Sequence, residues 1–201
     1  MNNDIHRPDL GDRIAFLRAF LRSPRQVGSV VPSSRFLERR LISVGAVARA
    51  RTIVELGPGT GGTTRAILRA MPHDARLLCI EIDPVLHGLL RRIDDARLIA
   101  HLGSAEHLPE ILSKHRLPAP DVVISGIPFY TMDGAVARRI LAGLSAVLPH
   151  GGHFVAYQFR DRVAKLCGYP LELTRVELEL LNVPPMRVFR WQKNGVRPDH
   201  A

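Results

Sequence analysis

A glycine-rich segment that follows an apolar run is the part of this sequence best suited to bind a small molecule. It reads Ile53-Val-Glu55-Leu-Gly57-Pro-Gly59-Thr60-Gly61-Gly62. Glycine permits positive φ angles and a close approach of the backbone to a ligand, and a helix that starts after such a loop offers free N–H groups. The segment also satisfies the dinucleotide pattern G-x-G-x-x-G, which is weak evidence by itself. The class of ligand must therefore be decided by the neighbouring charge.

Glu55 supplies that charge, two residues before Gly57 and at the end of the predicted strand. A carboxylate there repels a pyrophosphate, but it attracts the ammonium group of S-adenosylmethionine and favours the nearby sulfonium. At ~4 Å and an effective dielectric constant near ~20, either interaction is worth up to ~4 kcal/mol, so its sign discriminates strongly. The sequence therefore predicts S-adenosylmethionine as the cofactor and S-adenosylhomocysteine as its product.

The next strands extend this prediction to the rest of the cofactor. Glu81 ends the second predicted strand, where a carboxylate can accept hydrogen bonds from both ribose hydroxyls. Asp83, followed by Pro84, is expected to cap the next helix. The turn after the third strand is expected beside the adenine. The predicted cofactor site comprises Glu55, Gly57, Gly59, Thr60, Gly61, Glu81, Ile82, Ser104, Ala105 and Ser125.

The elements that must position these residues alternate between short β-branched runs and helical stretches, which is typical of a parallel sheet built from βαβ units. Strands are predicted at about 52–56, 76–82, 97–102, 121–125 and 152–159, and helices near 62–71, 84–92, 106–115 and 133–148. Alternation over 171–182 and 186–192, with a slip near Thr174 and a turn at Pro184-Pro185, predicts a final antiparallel hairpin. The expected fold class is α/β, with a mostly parallel sheet of seven strands and additional N-terminal helices.

The length of 201 residues and the 46% apolar content suit one α/β domain. We expect an N-terminal helical extension over residues 1–50, which binds substrate or membrane, and a cofactor-binding domain over 51–201. Two cysteines and no apolar signal segment favour a reducing compartment, so the cytoplasm is expected. We also expect a monomer.

The net charge of +9 is concentrated at the two ends of the chain. Residues 1–51 hold ten arginines against four acidic residues, and residues 187–201 hold four basic residues against one acidic residue. A field localised in this way suits a phosphate-rich surface, either nucleic acid or anionic lipid. The alternative is an ordinary solvated basic surface.

Residues 11–22 predict an amphipathic helix, with Phe16 and Phe20 on one face and Arg18 and Arg22 opposite. Two interpretations stay open. The helix can pack on the domain, or it can lie in a membrane interface, for which a basic amphipathic helix is suited.

Taken together, the glycine segment, Glu81-Ile-Asp83 and Ser125-Gly126-Ile-Pro-Phe-Tyr-Thr131 resemble class I methyltransferases, which have a Rossmann-like fold. More narrowly, nearly the whole chain resembles the bacterial phospholipid N-methyltransferases, through Phe16-Leu17, Val27-Gly-Ser29-Val-Val-Pro-Ser-Ser34 and Ile127-Pro128. This resemblance implies methylation of phosphatidylethanolamine towards phosphatidylcholine. It also implies a peripheral enzyme at the inner face of the cell membrane, with anionic lipid and phosphatidylethanolamine as its partners.

Ribosomal RNA adenine dimethyltransferases share this core and form the main alternative. They carry Asn-x-Pro-aromatic after the fourth strand, where the Asn amide engages the adenine amine, but here Gly126 takes the Asn position. They also append a helical RNA-binding domain, for which we expect no residues of this chain after the final hairpin. Both differences argue against nucleic acid as a partner. A second alternative, a lipid- or nucleic-acid-binding module without catalysis, is disfavoured by the intact cofactor motif. Ser104 stands where this superfamily usually presents Asp to the adenine, although a hydroxyl can still accept that bond.

Methyl transfer to an amine requires that the amine first lose a proton. The candidates for accepting it are Tyr157, Tyr130 and His153, which we expect near the carboxyl ends of the parallel strands. Aromatic faces stabilise a methylated cation. The residues expected at the substrate are Phe16, Phe20, Phe129, Arg22 and Arg25, the last two for the lipid phosphate, together with Ser29 from the subfamily segment. His150 and His153 lack a third ligand, so no metal is expected.

Overall fold

The computed structural model describes residues 34–159, 161–168, 170–182 and 184–194, with the side chain of Arg162 left out. Seven strands form one sheet in the order β3-β2-β1-β4-β5-β7-β6. The strands are β1 (Thr52–Leu56), β2 (Arg76–Glu81), β3 (Leu98–Leu102), β4 (Val122–Ser125), β5 (His153–Gln158), β6 (Leu171–Glu179) and β7 (Met186–Lys193). The first five are parallel, and β7 runs antiparallel to both β5 and β6. The predicted α/β class, with a mostly parallel seven-stranded sheet and an antiparallel end, is confirmed.

Helices cover both faces of this sheet. They are α1 (Arg35–Val44), α2 (Gly62–Ala70), α3 (Pro84–Leu90), α4 (Leu108–Lys114), α5 (Gly134–Val147) and α6 (Arg162–Leu166). Two clusters of buried apolar residues fill the space on the two sides, one joined by α1, α2 and α3 and the other by α4, α5 and α6. Strands with both faces covered read as continuous apolar runs, and all five residues of β1 are buried accordingly.

Helix α1 belongs to this core, although it precedes the first strand. Ser34 caps its first turn by accepting a hydrogen bond from Leu37 N at 3.2 Å, and Leu37, Leu41 and Val44 are at most 1% exposed. Arg40 pairs with Glu177 and Glu179 of β6. Residues 34–50 therefore pack directly on the sheet, and the proposed division of the chain near residue 50 stays a prediction.

The antiparallel end of the sheet contains an irregularity. The pairing of β6 with β7 shifts between Leu173 and Arg175, so the slip predicted near Thr174 is confirmed as a β-bulge. Registers fix which residues lie level with one another across the sheet. Leu178 pairs with Arg187, which pairs with Gln158 at the end of β5. The turn between β6 and β7 therefore lies at the same edge as the carboxyl ends of the parallel strands.

The strand order reverses at β1, which lies between β2 and β4. In open α/β sheets, ligands bind outside the carboxyl ends of the strands at such a switch point. Backbone hydrogen bonds continue beyond the strands there, from Gly57 N to Ile80 O at 3.0 Å and from Gly126 N to Leu56 O at 2.9 Å. The fold thus brings the loops after β1, β2 and β4 side by side.

Candidate functional site

The loop between β1 and α2 requires glycine. Gly57, Gly59 and Gly61 have φ angles of 68°, 60° and 82°, in a region that side chains disfavour. A Cβ added at Gly59 would meet nothing within 4 Å, whereas one at Gly57 would lie 3.0 Å from Ile127 Cγ1. Arg65 donates to the carbonyls of Thr60 and Gly61. The loop is therefore shaped and held by the protein, with open space over Gly59.

Glu81 ties this loop to the end of β2. One carboxylate oxygen accepts a hydrogen bond from Gly59 N at 3.1 Å, and the other accepts from Asp83 N at 2.9 Å. The side chain is 2% exposed, and burial raises its pKa against the lowering effect of these backbone donors. Asp83 caps α3 by accepting from Val85 N and Leu86 N, with Pro84 at the start, so the capping prediction is confirmed. Glu81 positions the glycine loop, and its predicted bonds to the ribose stay a prediction.

Glu55 is the fourth residue of β1, its side chain contacts α2, and it is 1% exposed. Its Oε2 accepts hydrogen bonds from Thr64 Oγ1 at 2.6 Å and Cys79 Sγ at 3.3 Å, whereas its Oε1 is buried without a partner among the described residues. Burial raises the pKa of Glu55 to about 7. An unpaired buried acceptor is costly, and a ligand ammonium group would relieve that cost. The orphaned oxygen therefore fits the cationic end of S-adenosylmethionine.

Binding of S-adenosylhomocysteine is expected to depend on pH through Glu55. Only the ionised carboxylate attracts an ammonium group, so affinity should fall as pH drops below about 7 and Glu55 takes up a proton. Between pH 8 and pH 6 the dissociation constant should rise about tenfold. Titration calorimetry across this range measures the effect. Glu55→Gln should bind more weakly and without this slope, and an equal slope in both proteins would assign the titration to another group.

The turn after β3 is organised by a residue that the sequence analysis missed. Ser104 caps the short 3-10 turn Ala105–His107 by accepting from Glu106 N at 3.3 Å, and its hydroxyl donates to Glu106 Oε1 at 3.3 Å. Glu106 also pairs with Arg139 of α5 at 2.7 Å. The carboxylate that this turn presents is therefore that of Glu106. Its position two residues after Ser104 is the signal that would have revealed it.

At the ends of β4 and β5, Gly126 faces Tyr157. A Cβ added at Gly126 would lie 2.4 Å from Tyr157 Oη and 2.9 Å from Gly57 O. The Tyr157 hydroxyl thus occupies the space that a side chain at position 126 would need. Gln158 donates to Ile127 O at 2.6 Å and so fixes the segment after β4. Neither Gln158 nor Thr64 was predicted, although each is a polar residue beside a predicted strand end or glycine loop.

The other predicted cofactor and catalytic residues are distributed as follows. Ile82 follows β2 directly, Ala105 is 7% exposed in the turn after β3, and Ser125 is fully buried at the end of β4. Ser125 Oγ accepts a hydrogen bond from Ile127 N at 3.2 Å. Tyr130 lies in the turn that follows β4, half-buried. All four lie at the same edge of the sheet as the glycine loop.

Two predictions about site residues are wrong. The ring of Phe129 is fully buried in the core, edge-on to Phe154 at a centroid distance of 6.4 Å, so it cannot form a wall for the substrate. His153 is the first residue of β5, and its Nε2 accepts a hydrogen bond from Arg190 Nη2 at 3.0 Å. It lies at the opposite edge of the sheet, about 17 Å of extended strand from the end of β5, so it cannot take a proton in the site.

The predicted residues Phe16, Phe20, Arg22, Arg25 and Ser29, with the helix over 11–22, lie outside the described residues. Within the part of the chain that is described, no helix is long and apolar enough to cross a membrane. The same residues contain no group of three or more His, Cys, Asp or Glu side chains placed to hold a metal ion.

Comparisons with known proteins find methyltransferases as relatives of this chain. No protein-family model matches the chain. The chain is 30% identical over 145 residues to the ornithine lipid N-methyltransferase of Singulisphaera acidiphila, covering 71% of this chain and 76% of that protein. It is 31% identical over 133 residues to the ribosomal RNA small subunit methyltransferase A of Nocardia farcinica, covering 64% of this chain. The chain spans only 43% of the length of that second relative.

Among solved structures, the fold is similar to that of the N-methyltransferase NodS from Bradyrhizobium japonicum WM9 in complex with S-adenosyl-L-homocysteine. The TM-score is 0.66 at 14% sequence identity, over 90% of this chain and 97% of that chain. At this identity the similarity shows the fold alone. It agrees with the mostly parallel, seven-stranded sheet.

Proposed function

Since the chain belongs to the class I S-adenosylmethionine-dependent methyltransferases, in the family of the Singulisphaera ornithine lipid N-methyltransferase, we propose that it methylates a lipid amine. The proposed acceptor is the amino headgroup of phosphatidylethanolamine, which is converted towards phosphatidylcholine. The enzyme is proposed to act as a cytoplasmic monomer, peripheral to the inner face of the cell membrane.

The observation that carries this proposal is the contact between Gly126 and Tyr157. RNA adenine dimethyltransferases engage the target base with an amide at the position of Gly126. Here that space is filled by the Tyr157 hydroxyl, 2.4 Å from where a Cβ would lie. A phenol has its donor and its acceptor on a single oxygen, so it can accept from an alkyl ammonium group but cannot match the two separate polar atoms that an amide offers to the edge of a base. This difference favours a lipid amine over adenine.

For methyl transfer, the protein has to position the acceptor amine against the cofactor and to allow the amine to lose a proton. When bound, S-adenosylmethionine supplies an electrophilic methyl group on a sulfonium. The glycine loop and Glu81 hold the cofactor side of the site, and Tyr157 and Tyr130 lie on the acceptor side. The ammonium group of the acceptor loses its proton to water by way of the Tyr157 hydroxyl. A hydrogen bond to that hydroxyl aligns the freed lone pair for in-line attack, in which the new N–C bond forms as the methyl–sulfur bond breaks and S-adenosylhomocysteine leaves. Once methyl groups accumulate, the face of Tyr130 stabilises the cation by ~0.5–2 kcal/mol.

A second candidate acceptor is an ornithine lipid, favoured by the name of the relative that is 30% identical. Both lipids carry a primary amine near an anionic group, a phosphate in one and a carboxylate in the other. The site residues described above act on the amine that the two lipids share. The anionic group therefore distinguishes the two candidates.

Transfer of labelled methyl groups decides between these acceptors. The protein is incubated with labelled S-adenosylmethionine and, separately, with phosphatidylethanolamine vesicles, ornithine lipid vesicles and unmodified ribosomal RNA. We expect label in phosphatidylethanolamine, and more of it when anionic lipid is added, because basic residues gain ~1 kcal/mol each near such a surface. Label in ornithine lipid alone would replace the acceptor within the same class. Label in RNA and in neither lipid would refute the argument from Gly126.

A further inference from the structure

The end of β6 and the turn after it expose large apolar side chains to solvent. Leu178, Leu180 and Leu181, which we call the apolar turn, are 50%, 66% and 62% exposed. Val176, two residues before Leu178 on the same face of β6, is also 50% exposed. Single exposed leucines are common, but a contiguous group marks a surface that contacts an apolar partner.

The apolar turn lies beside the site. Leu178 is level with Gln158 at the end of β5 through their shared pairing with Arg187, and Tyr157 is the residue before Gln158. Phe159, the next residue after β5, is 45% exposed at the same edge of the sheet. The exposed apolar surface is therefore on the acceptor side of the site, where β4 and β5 end, and away from the cofactor side at β2 and β3.

Hydrogen bonds and an ion pair to α1 hold the backbone next to the apolar turn in place. Glu179 binds Arg40 of α1 at 2.8 Å and accepts a hydrogen bond from Leu181 N at 2.9 Å. Asn182 is 4% exposed, accepts from Ser34 N at 2.9 Å and donates to Pro184 O at 2.9 Å. The protein thus fixes the backbone of the turn while leaving its leucines in water. Such a fixed, exposed apolar tip is pre-organised for a contact.

The charges around the turn favour a lipid surface as the partner. Arg187 is exposed and pairs with Leu178 across the hairpin, and Arg35 is exposed next to Ser34, which binds the turn. Apolar side chains flanked by exposed arginines match the two layers of a membrane interface, hydrocarbon below and anionic headgroups above.

We propose that the apolar turn inserts into the hydrocarbon of a lipid bilayer and so places the site at the level of the headgroups. This proposal rests on the proposed function, in which the methyl acceptor is a lipid amine. With the turn inserted, such an amine would reach Tyr157 without leaving the membrane. It concerns residues distinct from the predicted helix at 11–22, so the core domain itself contacts the membrane.

Vesicle binding of the full chain tests the proposal. Wild type and Leu180→Ser/Leu181→Ser are sedimented with phosphatidylethanolamine–phosphatidylglycerol vesicles in 1 M salt, where the screening length is ~3 Å and arginines contribute little. Binding by the double variant should be at least tenfold weaker, since withdrawing even one leucine from water changes an equilibrium about tenfold or more. The matched control is Leu173→Ser. Leu173 is 44% exposed on the same strand but lies level with Phe154, at the start of β5. Equal binding by the double variant and wild type, or equal losses in double variant and control, would overturn the proposal.

A fluorescence measurement covers the case in which the double variant does not fold. The natural Trp191 is 1% exposed, so its emission should not respond to vesicles. The emission of Leu181→Trp should shift to the blue when vesicles are added. An emission that is already blue without lipid would show that a second copy or another part of the chain covers the turn, and this would also overturn the proposal.

The proposed function is checked separately with water-soluble short-chain phosphatidylethanolamine. Wild type and the double variant should methylate it at equal rates, because no bilayer is involved. If wild type methylates none, the proposed function fails, while the vesicle experiment still decides the role of the turn.

Discussion

Replacing Gly126 with alanine is expected to lower methyl transfer about a hundredfold or more. The new Cβ would lie 2.4 Å from Tyr157 Oη and 2.9 Å from Gly57 O, so either the tyrosine or the glycine loop must move. A displacement of about 1 Å in a site can cost a factor of about 100 in rate. Gly126 is not one of the described glycines with a positive φ angle. The expected loss of rate therefore comes from a steric clash and not from backbone strain.

The matched control for this variant is Gly88→Ala. A Cβ at Gly88, within α3, would meet nothing within 4 Å, and it should leave the rate unchanged while slightly favouring the helix. Initial rates with labelled S-adenosylmethionine and the binding of S-adenosylhomocysteine are measured for both proteins. Tyr157→Phe should keep cofactor binding but lose rate, because it removes the hydroxyl and keeps the ring. A normal rate in Gly126→Ala would show that Tyr157 does not occupy the acceptor side.

The second large effect is expected for Glu81→Ala, which should weaken binding of S-adenosylhomocysteine about a hundredfold or more. The change removes two hydrogen bonds from backbone groups, one from the half-buried Gly59 N and one from the buried Asp83 N. Bonds to a charged group are worth ~1.5–3 kcal/mol each, and the abandoned N–H groups lose their partner as well. The glycine loop would therefore lose its link to β2 at the point where the ribose is expected.

Titration calorimetry measures this loss, and two further variants interpret it. Glu81→Gln keeps the shape and one acceptor but places a donor against a backbone N–H, so its loss should be intermediate. Glu110→Ala changes an exposed carboxylate on α4 and should bind like wild type. If Glu81→Ala were to bind as tightly as wild type, the placement of the cofactor along Gly59 and β2 would be refuted.

The sequence was sufficient to predict the architecture because the central strands β1, β2, β4 and β5 are almost entirely buried. Continuous apolar runs such as Leu77–Ile80 and Val122–Ile124 leave little ambiguity, and the broken alternation near Thr174 marked the bulge correctly. Helix α6 was missed because its five residues are too few to display a helical period. Helix ends were predicted to within about two residues, as is usual for frayed ends.

The cofactor side of the site was easier to predict than the acceptor side, for a physical reason. The glycine loop follows β1, and Glu81 is the last residue of β2, which pairs with β1 in parallel. Their proximity therefore follows from the pairing of the two strands. The acceptor side depends on contacts across the sheet that spacing does not encode. His153 was misplaced by a whole strand length, and Phe129 turned inward to pack on Phe154. The contact of Tyr157 with the position of Gly126 joins β5 to the residue that follows β4, and the spacing of the two residues along the chain does not predict it.

The bulge in β6 has a consequence for how the protein behaves in solution. β6 is one of the two outer strands of the described sheet, and its exposed backbone would otherwise be a template on which a further chain adds by hydrogen bonding. The register shift at Leu173–Arg175 twists that strand, and Arg175 and Glu177 place charges along it. Such interruptions discourage the growth of fibres from a sheet edge. The leucines that we propose to enter a bilayer therefore lie at one end of a strand whose edge is protected against pairing with a further chain.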